Sequence, residues 1–288
     1  MKRNTNNIAQ ITRRDFLRTG ASALAFTIVP HHVLGGRAHA APSDKLILAG
    51  VGIGGVGKSY IDNVNSENIA FLCDVNDIQA DHTYKAYPNA KLYRDFRKML
   101  DKEKAIDGVV IGTPDHTHTI VAMKAIGMGK HVYCAKPLTR TVHEARTLTE
   151  AAKKAGVATQ MSVQSDGNEG QRLIREWIAD GAIGPVREVH IWSDRPIWPQ
   201  GIDRPKDTPP VPKGIDWDLW LGPAPHRPYH HAYVPFRWRG WYDFGTGALG
   251  DMGCHSLAHV FKALNLGPPA SVHASSTRLF KETFPSAS

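Results

Sequence analysis

Gly52-Ile53-Gly54-Gly55-Val56-Gly57 fits the pattern G-x-G-x-x-G. The loop follows a short apolar run, Leu46–Val51, and opens a helical segment, Lys58–Val64. Asp74 stands 22 residues after Gly52, at the end of the next apolar run, Ile69–Cys73. Glycines permit a tight turn and let backbone approach a pyrophosphate, while the helix N-terminus offers free N–H groups and partial positive charge. A carboxylate at Asp74 would accept hydrogen bonds from a ribose hydroxyl and repel a 2′-phosphate, which favours NAD over NADP. Far along the chain, Asp251 and His255 are four residues apart, hence on one face if this segment is helical. An imidazole there titrates near working pH and could move a proton, with the carboxylate orienting it or holding a substrate hydroxyl.

The elements that must position these groups alternate. Ile78–Tyr87, Arg94–Leu100, Ile120–Met128 and Val142–Ala155 read as helices, and Val109–Gly112, His131–Cys134 and Val157–Val163 as strands. Strands separated by helices imply βαβ crossovers and a doubly wound parallel sheet. The texture changes after about residue 165. Glu169–Ala179 is an amphipathic helix, Val186–Trp192 alternates like a half-exposed strand, and Pro196–Pro228 is a proline-rich loop region. All seven tryptophans lie between Trp177 and Trp241. Ser271–Leu279 reads as a further strand.

Composition bounds the class. Of 288 residues, 42% are hydrophobic and 22% charged, a globular balance with no low-complexity bias. The net charge of +8 does not signal nucleic acid, because residues 1–40 hold six basic side chains against Asp15. No apolar stretch is long enough for a stable membrane span. The first 40 residues read as a twin-arginine signal peptide: Arg13-Arg14 in Thr12–Arg18, an apolar run Ala21–Val29, and a small-x-small site, Ala38-His39-Ala40, before Ala41. That predicts engagement of the twin-arginine export machinery and a periplasmic or secreted protein, folded with its cofactor before export. Cys73, Cys134 and Cys254 are odd in number and widely spaced, so three free, mostly buried thiols are expected.

Five segments together resemble the glucose–fructose oxidoreductase / inositol dehydrogenase (Gfo/Idh/MocA) family. They are the glycine loop; Cys73-Asp74-Val75; Gly112-Thr113-Pro114-Asp115-His116-Thr117-His118; Gly129-Lys130-His131-Val132-Tyr133-Cys134-Ala135-Lys136-Pro137-Leu138; and Gly250-Asp251-Met252-Gly253-Cys254-His255. The resemblance implies an N-terminal Rossmann domain, 44–165, and a substrate-binding α/β domain, 166–288, with an open, largely antiparallel sheet, short at its C-terminus. It implies NAD-dependent oxidation or reduction of a sugar, sugar derivative or polyol. NAD is expected to be tightly bound, because free nicotinamide nucleotide is scarce outside the cytoplasm. Redox-assisted glycoside cleavage and a noncatalytic NAD- and sugar-binding protein are the alternatives.

In that frame Lys136, His255 and Asp251 are the catalytic candidates. Oxidising an alcohol needs a base for the hydroxyl proton, and a lysine can stabilise the developing alkoxide. Gly52, Gly54, Gly55, Gly57, Asp74, Thr113, Pro114, His118 and Lys136 are the cofactor-binding candidates. The Lys136–Pro137 bond is a candidate for cis geometry. Two departures stand out: Ala135 replaces the usual glutamate before Lys136, and Ala258 replaces the final aspartate of the second motif. His116 and His118 have metal-like spacing, but no third ligand is evident and the family places this loop beside the cofactor ribose, so no metal is expected. His230-His231 reads as a surface loop pair. Trp238, Trp241 and Tyr242, with Arg237 and Arg239, suit either sugar faces or core packing. Relatives often form dimers or tetramers through the outer face of the second sheet, which leaves a homo-oligomer open.

Overall fold

A computed structural model describes residues 44–163, 167–275 and Thr283. The export signal at Arg13-Arg14 and the cleavage site at Ala41 lie outside the described residues, as do 276–279 of the last expected strand. No described helix is long and apolar enough to cross a membrane.

The first half alternates strand and helix as the sequence predicts. Its elements are β1 (Ile47–Val51), α1 (Val56–Asn63), β2 (Asn68–Cys73), α2 (Asp77–Ala86), β3 (Lys91–Tyr93), α3 (Phe96–Lys102), β4 (Gly108–Ile111), α4 (Asp115–Gly127), β5 (His131–Ala135), α5 (Val142–Ala155) and β6 (Thr159–Ser162). The six strands form one sheet in the order β3-β2-β1-β4-β5-β6, every pair parallel. Strand order reverses between β1 and β4, which opens a crevice at their carboxyl ends, where open α/β sheets bind ligands.

Local chemistry sets the element ends. Asn76 caps α2 through its side-chain oxygen, and Asp95 caps α3. Thr141 and Glu144 form a reciprocal capping box at α5, which Gly156 ends in the left-handed conformation. Apolar side chains from both faces fill two clusters, one around Ile111, Val121 and Ile126, the other around Ile61 and Leu72. Each such side chain, fully buried, contributes roughly 1.5–3 kcal/mol. Cys73 and Cys134 are buried within this layer, Cys254 is half-buried, and all three are free thiols.

The second half contributes α6 (Glu169–Ala179), α7 (Trp217–Leu221), a 3₁₀ turn at Arg237–Gly240 and α8 (Gly247–Ala263). Val186–Trp192 is not a strand: it runs without regular structure, and Trp192 is 85% exposed. Alternation alone does not make a strand, because its N–H and C=O groups need a neighbour, and none of the described segments lies beside it as a paired strand. Residues 271–275 likewise carry no regular structure. Apolar side chains on α6 and α8, such as Trp177 and Leu249, are exposed.

Trp217, Trp220, Tyr229, Tyr233, Trp241 and Phe244 instead build a compact aromatic cluster. Trp217 and Trp220 stack at 4.7 Å, and Tyr233 meets Trp241 edge-on at 4.9 Å. This cluster is tied to the sheet layer. The Asp216 N–H donates to Val75 O at 2.8 Å, and the Asp77 N–H donates to Gly214 O at 2.9 Å.

Candidate active site

The glycine loop joins β1 to α1 at the crevice. A Cβ placed on Gly57 would lie 1.9 Å from Gly52 O, and one on Gly112 would lie 2.5 Å from Gly57 Cα. Here the absence of side chains lets α1 press against β1 and β4. Gly55 has φ +50° and open space where a Cβ would stand. Helix α1 has no side-chain cap and no acid in its first turn, so its N-terminal N–H groups are left for an anion. These features fit a dinucleotide pyrophosphate.

Asp74 has a second task that spacing does not reveal. Its Oδ2 accepts from the N–H of Ile53 at 2.8 Å and of Gly54 at 3.2 Å, and its Oδ1 accepts from Asn76 N–H at 2.9 Å. Burial pushes its carboxyl up, against the opposing pull of the Asn76, Ile53 and Gly54 amides. Asp74 also lines the cavity beside the glycine loop, where a ribose hydroxyl would meet its carboxylate. Asp74→Ala should therefore loosen the glycine loop as well as relax the choice between NAD and NADP. The expected result is weaker binding of both nucleotides and a lower Tm, read by titration and thermal melts. Unchanged NAD affinity and Tm would contradict it.

Lys136 directly follows β5, and its bond to Pro137 is cis. Three contacts fix it. Its N–H donates to Ser162 Oγ at 3.1 Å, and that hydroxyl donates to Tyr60 OH at 2.7 Å. Its Nζ donates to Asp251 O and Asp251 Oδ1, both at 2.8 Å. Arg239 Nε reaches the same Oδ1 at 3.3 Å. Asp251 and His255 lie in α8 one turn apart. Lys136, Asp251 and His255 all line one cavity of about 980 Å³ together with Gly52, Gly54 and Asp74. Residues separated by 119 positions thus reach one space. Burial first, then the neighbouring charge of Lys136, hold the His255 imidazole below its ordinary value.

Thr113 and Pro114 line the cavity as expected, but His118 does not face it. His118 is 1% exposed. Its Nδ1 is 2.7 Å from Pro137 O and its Nε2 2.7 Å from Thr113 O. Two carbonyl acceptors require two N–H donors, so the ring is an imidazolium. Burial opposes that charge, but Cys134, Asp115 and the Pro137 carbonyl outweigh it and push the ring up to about 10. His118 thus clamps the loops bearing Thr113 and Lys136 from behind, where a cofactor contact was expected. His116 is also buried, with Nε2 3.0 Å from Trp220 O and its ring against Trp220 and Phe244. Burial holds it down to about 4. It joins the sheet layer to the aromatic cluster. Of the second loop pair, His231 is exposed but His230 is buried, 3.2 Å from Asp207, which corrects the surface reading for His230.

These two histidines set opposite pH limits on stability. His116 is neutral when folded and charges on unfolding, so its contribution is lost as pH falls from 6.5 to about 4. That contribution amounts to roughly 3 kcal/mol at about 1.36 kcal/mol per pH unit. The His118 contribution is complete below pH 6.5 and is lost as pH rises towards about 10. Urea unfolding should show maximal stability near neutrality, with a smaller drop on acidification in His116→Gln. Equal acid sensitivity of the two proteins would contradict this.

Arg239, weighed from the sequence as either a sugar contact or packing, lines the cavity, whereas Asp115 was not proposed for a role in the site. Asp115 accepts a 2.8 Å hydrogen bond from Thr246, the residue preceding α8, and so ties α4 to α8. Trp238 lines the cavity, whereas Trp241 is 1% exposed and belongs to the core.

A parallel sheet in this order, with a glycine loop at the switch point and an acid at the end of β2, defines a dinucleotide-binding protein of the Rossmann class. Residues 47–163 match the family model described as Gfo/Idh/MocA oxidoreductase, NAD-binding Rossmann fold. Residues 197–275 match that family's C-terminal α/β domain. The chain belongs to the Gfo/Idh/MocA family of NAD-binding oxidoreductases.

Its relatives include a levoglucosan dehydrogenase of Pseudarthrobacter phenanthrenivorans, 33% identical over 57% of this chain and 34% of that protein. An inositol 2-dehydrogenase of Klebsiella pneumoniae is 30% identical over 49% of this chain and 43% of its own length. The chain thus spans between about a third and a half of these curated relatives. A solved NAD-binding oxidoreductase from Klebsiella pneumoniae superposes with a TM-score of 0.51 at 25% identity, over 76% of this chain and 53% of that one. GenD2 from gentamicin A biosynthesis, in complex with NAD, gives 0.54 at 19% identity over 82% and 56%, a likeness of fold.

Proposed function

We propose that this protein is an exported NAD-dependent oxidoreductase acting on a sugar, sugar derivative or polyol. Residues 44–165 would serve the cofactor and 166–288 the substrate. The observation that carries the reading is the convergence of Lys136, Asp251 and His255 on the cavity lined by the glycine loop. Relatives named as inositol and levoglucosan dehydrogenases support the substrate class.

NAD, when bound, supplies the hydride acceptor. The chain supplies the proton chemistry. His255, held below its ordinary value, is neutral at neutral pH and accepts the hydroxyl proton at a ring nitrogen. An ammonium has three donors. Asp251 takes two from Lys136, which leaves the third for the substrate oxygen as negative charge develops. Asp251 holds the lysine in place, and the Ser162–Tyr60 pair fixes the backbone behind it. Ala135 is buried in the cavity wall, and Ala258 is absent from that wall. Neither departure removes a group that this scheme uses.

The test has two stages. Mass spectrometry of the purified protein should find co-purifying NAD, the expected consequence of tight binding. A panel of aldoses, polyols and sugar acids should then yield reduced nicotinamide with at least one member. Bound NAD with no turnover across the panel would favour the noncatalytic alternative. The localisation has its own test. Replacing Arg13 and Arg14 with lysine should leave a folded precursor inside the cell, and exported protein should begin at Ala41. Unaffected export would rule out the twin-arginine route.

A further inference from the structure

The cavity has its cations paired at one end and an excess of positive charge at the other. Away from Lys136 the cations of the lining are paired, Arg94 with Asp77, Arg97 with Asp95 at 2.9 Å and Lys124 with Asp101 at 2.6 Å, and Asp74 and Asp218 add two further acids. At the Lys136 end, Asp251 alone serves both Lys136 and Arg239. Asp115, the other acid there, is bonded to Thr246 and feels the charge of His118. Arg195 also lines the cavity, and its side chain has no acidic partner among the described residues. It enters from the segment ending at Trp198, which packs on the Phe236–Gly240 turn.

Arg239 is built as a fixed fork. Its guanidinium lies 4.2 Å from the Trp238 ring centroid and 4.5 Å from that of Phe236. Nε is engaged by Asp251 and Nη1 by Phe236 O at 3.2 Å. Of five donors, three are left. A planar guanidinium held by aromatic faces suits bidentate recognition of an oxyanion. A neutral polyol would leave the excess positive charge at this end without an anion.

We infer that the substrate is an anionic sugar, one bearing a carboxylate or a phosphate, and that Arg195 and Arg239 bind that group while a neighbouring hydroxyl meets Lys136 and His255. This rests on the oxidoreductase reading and narrows its substrate class. Hydrogen bonds to a charged group of this kind are worth roughly 10- to 100-fold in affinity.

The experiment compares matched ligands on the NAD-loaded protein by calorimetry and by nicotinamide reduction. Glucose and myo-inositol are the neutral arm. Glucuronate, galacturonate and gluconate are the carboxylate arm, and glucose 6-phosphate is the phosphate arm. At least one anionic ligand should bind roughly 10-fold or more tightly than its neutral counterpart, more weakly at high salt. Arg195→Gln and Arg239→Gln should each shrink that gap, with the loss in KM more than in kcat for Arg195→Gln. The carboxylate and phosphate arms identify which oxyanion is read. Equal or better binding of neutral sugars would overturn the inference. So would an Arg195→Gln variant that loses NAD affinity while keeping its preference among sugars, since Arg195 would then serve the dinucleotide. Turnover of neutral sugars alone would remove the inference and leave the oxidoreductase reading standing. Binding of anions without any reduction would do the reverse.

Discussion

His255→Ala and Lys136→Ala should each lower turnover of the true substrate by roughly 100-fold or more, the scale of a lost acid–base group, with NAD affinity largely kept. Neither side chain belongs to the glycine loop or to the Asp74 network that would hold the dinucleotide. The two losses should differ in their pH signature. A base must be unprotonated to work, so oxidation falls as pH falls through the value of His255. Burial and Lys136 place that value below 6.5, so the acid limb of the wild-type profile should lie below pH 6.5. Removing the lysine charge leaves the Asp251 carboxylate beside the imidazole, and both changes raise it. The limb in Lys136→Ala should therefore move to higher pH, while His255→Ala should lose the limb. Near-full activity in both variants, or an unmoved limb, would show that these residues do other work.

Gly57→Ala should abolish NAD binding and cost several kcal/mol of stability. The new methyl would sit 1.9 Å from Gly52 O, a backbone atom that cannot rotate away. Overpacking of a core usually costs about 1–3 kcal/mol when side chains can adjust. Here the glycine loop itself must move, and with it the amides that Asp74 holds. Gly127→Ala, at the end of α4, is the control, because nothing lies within 4 Å of its added carbon. That variant should bind NAD normally and melt at or slightly above the wild-type temperature. Normal nucleotide titration by Gly57→Ala would mean that the loop packs differently.

The first half of the fold was legible because its signals are local. Apolar runs, caps and glycines each occupy a few adjacent residues, and Val142–Ala155 and Glu169–Ala179 read correctly to the residue. Lys91–Tyr93 was missed because three residues of an edge strand carry no apolar run. Helix α4 starts at Asp115, five residues earlier than hydropathy suggests, because its polar first turn is buried by Asp115–Thr246 and His118–Pro137 contacts. Those partners are distant in sequence and leave no periodic trace. For the same reason His118 was assigned to the cofactor when it works behind the loop. Motifs pointed to Lys136, Asp251 and His255, and folding brings them together. Arg239 was legible as one of two arginines among aromatics suited to a sugar or to packing, but its bond to Asp251, twelve residues on, was not, because it depends on the 3₁₀ turn and α8. The strand expected at 186–192 shows the opposite limit, since alternation describes a face and pairing needs a partner.

The most direct measurement of the central claim follows the hydrogen on carbon. A substrate identified from the panel, deuterated at the carbinol carbon, is mixed with the NAD-loaded protein, and the nucleotide is analysed by mass spectrometry after one turnover. Deuterium in the reduced nicotinamide, formed with the wild type and strongly slowed in His255→Ala and Lys136→Ala, is the predicted result. Product formed with the label retained in the sugar or lost to water, and no reduced nicotinamide at any time, would contradict the account.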